Sequence, residues 1–214
     1  MTADIQSCID SASQGLHGGV VTLVAPNTYI SGSLFLKSNI VFQIESGATL
    51  QGSTNHSDYP LKFRGTFGMG AASLITSGRC LKLAPDKTQG EAGCLQWEKH
   101  TNVTLEGGGT VDGSGQAWWF DFGWVAGRPD QNRMDMVEPT WIDGLTMTGL
   151  TFRSSPAWTV HILLCSNVLV DGVTVISDVA YDDQHYQGFN VDGIDPDGCV
   201  NCTIQNSHIR AGDD

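Results

Sequence analysis

A short phrase that keeps returning limits what this chain can fold into. It reads Asn39-Ile40-Val41-Phe42, then Asn102-Val103-Thr104-Leu105-Glu106-Gly107, then Gly144-Leu145-Thr146-Met147-Thr148-Gly149. It returns as Asn167-Val168-Leu169-Val170-Asp171-Gly172 and as Asn201-Cys202-Thr203-Ile204-Gln205-Asn206. A second short apolar strand follows each copy, at 49–50, 110–111, 150–152, 173–175 and 208–209. The later copies start 42, 23 and 34 residues apart. A minimal period with variable excess is the signature of a solenoid. Each coil must stack on its neighbour to bury its inward side chains, and insertions emerge as loops. A β-sandwich would instead show hairpin turns and even strand spacing, and no run of matched Asn-Gly or Asp-Gly turns occurs. The expected fold is all-β, a right-handed parallel β-helix, forming one domain over 1–214.

One helix is expected, over about 3–14. Ile5, Cys8, Ile9 and Ala12 make one apolar face, with Thr2 or Asp4 as N-cap and Gly18-Gly19 as the stop. Long loops are expected over about 55–93 and 114–139. The second holds Trp118, Trp119, Phe120, Phe122 and Trp124, five aromatics in seven residues. They read equally well as a sugar-stacking rim, with Trp118 and Trp119 binding substrate, or as the loop's own small core.

Net charge is −12, from 23 acidic and 11 basic residues. That argues against nucleic acid or an anionic membrane as partner. No apolar run reaches the length of a membrane span. Cys80 and Cys94 could bridge a loop in an oxidising compartment. Cys199 and Cys202 lack the second pair that a zinc site needs, so no metal ligands are assigned.

The chemistry concentrates near residue 200. Asp192 and Asp213 lie 21 residues apart, close to one coil. Adjacent coils of a β-helix are about 4.8 Å apart, so Asp192 is expected beside Asp213 or Asp214. Like charges that close raise at least one carboxyl pKa. A protonated acid among ionised bases is what glycoside hydrolysis requires. The same cluster would suit a hard cation or a solvated turn, and the residues alone leave these three readings open. Consecutive strand residues face opposite ways, so Asp213 and Asp214 can share a cleft only if the backbone turns there. His161 and His208 fall on expected strands and read as structural or surface residues. His185, in a loop with Tyr181, Asp182, Asp183 and Tyr186, is the histidine expected to line the cleft.

Asn190-Val191-Asp192-Gly193-Ile194-Asp195 and Gly212-Asp213-Asp214 resemble the paired aspartate motifs of glycoside hydrolase family 28, the polygalacturonases. Ser155-Pro156-Ala157-Trp158-Thr159-Val160-His161 resembles the family's Ser-Pro-x-Trp stretch, and the segments 33–39 and 45–50 resemble its first coils. The resemblance implies inverting hydrolysis of α-1,4-galacturonosyl bonds in pectin. Asp213 would be the general acid, Asp192 and Asp214 would hold and deprotonate the attacking water, and Asn190 would be a polar neighbour binding substrate. It implies no cofactor, a polysaccharide partner, a monomer and an extracellular location. Related readings are hydrolysis of rhamnogalacturonan, a calcium-dependent lyase and a non-catalytic carbohydrate-binding β-helix. Val191 stands where the family usually carries Thr. The family's Gly-His-Gly and Arg-x-Lys motifs would lie beyond Asp214, so the chain is expected to be an incomplete, weakly active piece.

Overall fold

The computed structural model describes residues 1–15, 17–64, 68–85, 93–119, 133–177 and 190–214. Three stacks of parallel strands wind around one core. The first sheet orders Gly19–Leu23, Ile40–Ile44, His100–Gly107, Ile142–Thr148, Ser166–Asp171 and Val200–Gln205. The second orders Thr28–Ser31, Thr49–Gly52, Thr110–Asp112, Thr151–Arg153, Thr174–Ser177 and His208–Ala211. The third orders Leu34–Phe35, Ile75–Thr76, Val137–Glu138, Val160–Leu163 and Ile194–Asp197.

The recurring phrase opens on a left-handed bend at or just inside the start of a strand of the first sheet. Asn39, Asn102, Gly144, Asn167 and Asn201 all have positive φ, between 53° and 81°. Glycine and asparagine occupy that region most cheaply, which is why they alone open the phrase. The asparagine amides also stack between coils. Asn102 Nδ2 donates to Asn39 Oδ1 at 3.1 Å and Asn201 Nδ2 to Asn167 Oδ1 at 2.7 Å.

Alternation then aims every second residue inward. In register, Val21, Phe42, Leu105, Met147, Val170 and Ile204 form one inward ladder. Tyr29, Leu50, Val111, Phe152, Val175 and Ile209 form the second. Leu34, Ile75, Val137, Val160 and Ile194 form the third. Burying each such aliphatic side chain stabilises the fold by about 1.5–3 kcal/mol. Ile204 and Ile209, in the last coil, keep register but stay 38% and 45% exposed.

The helix spans Thr2–Ser13 and lays Ile5 and Ile9 against the first coil. Met1, not Thr2 or Asp4, occupies the cap position, and Gln14 rather than Gly18 closes the helix. Thr2 instead uses its hydroxyl to accept from the Gly32 amide at 2.9 Å. Cys8, expected on the apolar face, is exposed. The expected loops are shorter than 55–93 and 114–139, because each contains a strand of the third sheet, Ile75–Thr76 and Val137–Glu138. The first also folds into two antiparallel hairpins, Leu61–Phe63 with Met69–Ala71 and Cys80–Leu83 with Cys94–Trp97. A Cys80–Cys94 disulfide ties the second hairpin.

Candidate active site

The site lies on the outer face of the third sheet. With Ile75, Val137, Val160 and Ile194 turned inward, the next residue on each strand turns outward. Register therefore lines up Phe35, Thr76, Glu138, His161 and Asp195 along the solenoid axis. An outward row should be wet. Yet Thr76, Glu138 and His161 are completely buried, while the row is half-open at its two ends, at Phe35 and at Asp195, with Asp197 two residues on.

The first hairpin supplies the cover. Lys62 Nζ reaches Glu138 Oε1 at 2.7 Å, Thr76 Oγ1 at 2.7 Å and Thr140 Oγ1 at 2.9 Å. Arg64 Nε donates to Glu138 Oε2 at 3.0 Å, its Nη2 pairs with Asp135, and its Nη1 donates to the Arg133 carbonyl at 3.2 Å. His161 Nδ1 lies 3.0 Å from Asp135 Oδ2, while Nε2 lies 3.4 Å from Asp197 Oδ2. Burial alone would favour the neutral carboxyls, but Arg64 holds Asp135 down at about 2, and Lys62 and Arg64 lower Glu138. Burial likewise works against a charged His161. The hydrogen bond and charge of Asp135, joined by Glu138, outweigh it and raise the imidazole's pKa. Asp135, Glu138 and His161 converge closely enough to suggest a metal. The donor set does not fit one, because Lys62 and Arg64 already occupy the carboxylate oxygens a divalent ion would need.

Beyond this buried row sits the carboxylate patch. The Thr159 amide donates to the Asp192 carbonyl at 3.0 Å, which fixes 192 against the preceding coil. On its other side the Gly212 amide donates to the Val191 carbonyl at 3.2 Å, and the Gly193 amide donates to the Asp214 carbonyl at 2.8 Å. In a regular parallel ladder both bonds around residue 192 would involve one partner residue. Here they involve Gly212 and Asp214, so the chain carries two extra residues opposite Asp192. That bulge resolves the alternation problem, since Asp213 and Asp214 need not obey the strand's up-down rule. Asn190, itself at φ 52°, donates from Nδ2 to Asp213 Oδ2 at 3.3 Å.

Asp192 is buried, with Oδ1 lacking a hydrogen-bond partner among the described residues, as does Oδ2 of Asp195. Burial, reinforced by Asp213 and Asp214, pushes Asp192 up to about 6. Burial and the charge of Asp192 push Asp195 up to about 7, against the pull of His161. Interactions of this kind make the protons a property of the coupled patch rather than of one carboxyl. They also cost stability. A carboxyl whose folded pKa is raised contributes stability below about pH 4, and that contribution is lost as pH rises toward 7. Asp195→Asn is therefore expected to raise Tm by about 2–4 °C at pH 8, after allowing for solvent screening, and to leave it nearly unchanged at pH 4. Equal shifts at both pH values in thermal melts would show that Asp195 carries no such strain.

The family model for glycosyl hydrolases family 28 matches residues 19–214. The chain belongs to family 28. A Vitis vinifera protein described as a probable polygalacturonase is 28% identical over the whole chain, which spans 40% of that relative's length. A Ralstonia solanacearum polygalacturonase is 26% identical over 98% of this chain and 44% of its own. Among solved structures, a Thermotoga maritima exopolygalacturonase superposes with TM-score 0.73 at 22% identity, covering 100% of this chain and 49% of the other. A Yersinia enterocolitica family 28 exopolygalacturonase gives 0.71 at 21%, over 99% and 40%. These likenesses show the fold, a right-handed parallel β-helix. The chain spans less than half the length of each of these proteins.

As a family 28 chain, it brings Asp192, Asp213, Asp214 and Asn190 into one place. Trp118 is elsewhere. It is buried, packed edge-on to Tyr59 at 5.1 Å and tilted against His56 at 4.2 Å. Its indole is part of the main core, packed on residues of the other insertion, and offers no face to a sugar. Trp119 is half-buried and spends its Nε1 on the Ser155 carbonyl at 3.1 Å. His185, Phe120, Phe122 and Trp124 lie outside the described residues. Val191 is fully buried, so a methyl in place of the usual hydroxyl suits its surroundings. Asp195, His161 and the Lys62–Arg64–Asp135–Glu138 network were missed as site residues. Two signals existed, the alternation Lys62-x-Arg64 and the placement of Asp195 inside the aspartate motif.

Proposed function

We propose that this protein is a pectin-backbone hydrolase that cleaves α-1,4-galacturonosyl bonds by acid–base displacement, with inversion. One observation carries the reading: acidic groups 192, 213 and 214 meet across two coils, in a patch that still holds protons where isolated carboxyls have lost them. In this reading Asp213, exposed and bonded by Asn190, is the group that protonates the leaving oxygen. Asp192 and Asp214 flank it as the pair that holds and deprotonates water. Asp195 extends the shared proton pool. The Cys80–Cys94 bridge fits an oxidising, extracellular setting where plant cell-wall polymer is met.

The test is release of reducing ends from polygalacturonate as a function of pH, beside rhamnogalacturonan and with a chelator present. The expected result is chelator-resistant cleavage of polygalacturonate with a bell-shaped profile. Its alkaline limb should fall as the patch loses its last shared proton, near about pH 6–7. Cleavage of rhamnogalacturonan alone, an unsaturated product, or a rate that stays flat to pH 9 would each defeat this assignment.

A further inference from the structure

We infer that the corner between the third and first sheets carries a second, non-catalytic binding site for acidic sugar chains, built around Lys99, Trp141 and Leu164. The inference rests on the pectic reading above and adds a place, apart from the carboxylate patch, where the polymer is held.

Each coil bends where its third-sheet strand ends and its first-sheet strand begins. In register, that bend falls at Lys99, Trp141, Leu164 and Gly198. The last three have positive φ, at 51°, 55° and 63°. Glycine takes that conformation freely, whereas a bulky side chain is strained there. Trp141 and Leu164 therefore stand where the backbone alone would select glycine, as it does at 198. Residues held in such conformations cluster at ligand sites. Both line one pocket of about 450 Å³, together with Lys99, His100, Asp143 and Gly198. Ligand pockets occupy about 300–1,000 Å³. From Lys99 to Gly198 the pocket crosses three coil steps, about 14 Å along the axis. It lies at the opposite end of the third-sheet strands from the patch, since Asp192 precedes Ile194–Asp197 and Gly198 follows it.

The chemistry of the pocket selects its ligand. The end in the earlier coils is basic. Lys37 meets Glu98 at 3.2 Å and Arg79 meets the same carboxylate at 4.0 Å, with Lys99 next in the chain. Three cations thus surround one acid. His100 adds no charge at neutral pH: burial, then Lys37, Arg79 and Lys62, lower its pKa against the pull of Glu98. Lys99 is exposed, stands 4.1 Å over the Trp141 ring and has no carboxylate partner among the described residues. Asp143, on the rim, already accepts at Oδ1 from Ser166 Oγ at 2.8 Å and Asn167 Nδ2 at 2.7 Å. An available cation beside half-buried Trp141 and Leu164 suits a uronate, which joins a carboxylate to the apolar C–H face of a sugar ring. On a chain of net charge −12 an acidic polymer is repelled over most of the surface, and a basic, apolar pocket is where it can settle. Holding the polymer at a second point raises its local concentration at the patch without any new catalytic contact.

Calorimetric titration of trigalacturonate into the intact chain counts the sites without requiring turnover. Two molecules are expected to bind per chain, and one after Lys99→Gln is combined with Trp141→Gly. Glycine suits that bend, as Gly198 shows, so the coil should persist. Where the double variant does not fold, Lys99→Gln alone decides, at an exposed position. It is expected to weaken one site about tenfold and leave the other unchanged. Two undiminished sites in the variants overturn the pocket, as does a single site in the parent that ignores Lys99→Gln. Loss of both sites together overturns it too, since the residues would then belong to the catalytic groove. A single site that Lys99→Gln does weaken keeps the pocket and takes the sugar away from the patch. Binding of no trimer at all removes the pectic reading, and the pocket's ligand with it.

Discussion

Asp213→Asn is expected to lower kcat on polygalacturonate by about 10²–10⁴-fold, with KM changed little. The expectation follows from where the residue stands. Asp213 is exposed, sits in the bulge opposite Asp192, and meets Asn190 through one carboxylate oxygen at 3.3 Å. The register of the bulge is held by main-chain bonds of Gly212 and Asp214, not by the Asp213 side chain. An amide of the same shape should therefore leave the coil and the sugar contacts in place while removing the proton donor. A loss confined to kcat is the mark of an interaction made only in the transition state. Michaelis kinetics on the variant, with a melt to confirm an unchanged fold, make the comparison. A turnover number equal to the parent's would take the acid role away from Asp213. A raised KM at constant kcat would make the residue a substrate-binding group instead.

The parts of the molecule readable in the sequence are those where one physical demand selects a few residue types. A bend at or just inside the start of these strands of the first sheet needs positive φ, so Asn or Gly recurs at 39, 102, 144, 167 and 201 and announces the coils. Inward ladders need apolar residues at alternate positions, so the first two sheets were visible. The third sheet was largely hidden for the same reason turned round. Its strands are short, and its outward row is Phe35, Thr76, Glu138, His161 and Asp195, chosen for a site rather than for propensity. Strands with ionisable residues where a buried face is forming do not look like strands. Asp192 and the 213–214 doublet were legible because a spacing near one coil places them together. The Lys62–Glu138 and Arg64–Asp135 pairs join residues more than 70 positions apart through an inserted hairpin, and no periodicity encodes an insertion. The aromatic run failed in the opposite way. Composition marked Trp118 as notable but could not say which way it pointed, and it points into the core.

Glu138→Gln should be the most damaging single isosteric change outside the catalytic patch, costing about 3–5 kcal/mol. Glu138 is completely buried and is the carboxylate on which Lys62 and Arg64 both rely. Neutralising it leaves two cations under a hairpin with Asp135 as the remaining partner. A chain of this size should then melt roughly 6–20 °C lower, and against a typical total stability of about 5–15 kcal/mol a large share of the margin is gone. The control is to remove the charges together. Lys62→Met, Arg64→Leu and Glu138→Leu in one chain leave Asp135 paired with His161 and should recover most of the loss, because apolar replacement of a buried ion cluster is often neutral. The pH dependence gives a second reading of the same network. Glu138 and Asp135 have depressed folded pKa values, so their stabilisation is present above about pH 4 and is lost as pH falls below it, for Asp135 as pH falls toward 2. Asp192 and Asp195 act with the opposite sign above pH 4. The two trends cross, so stability should peak at mildly acidic pH, near about 4–5, and Glu138→Gln should flatten the acid side of that peak. A variant that melts with the parent at every pH would mean the buried charges hold nothing together.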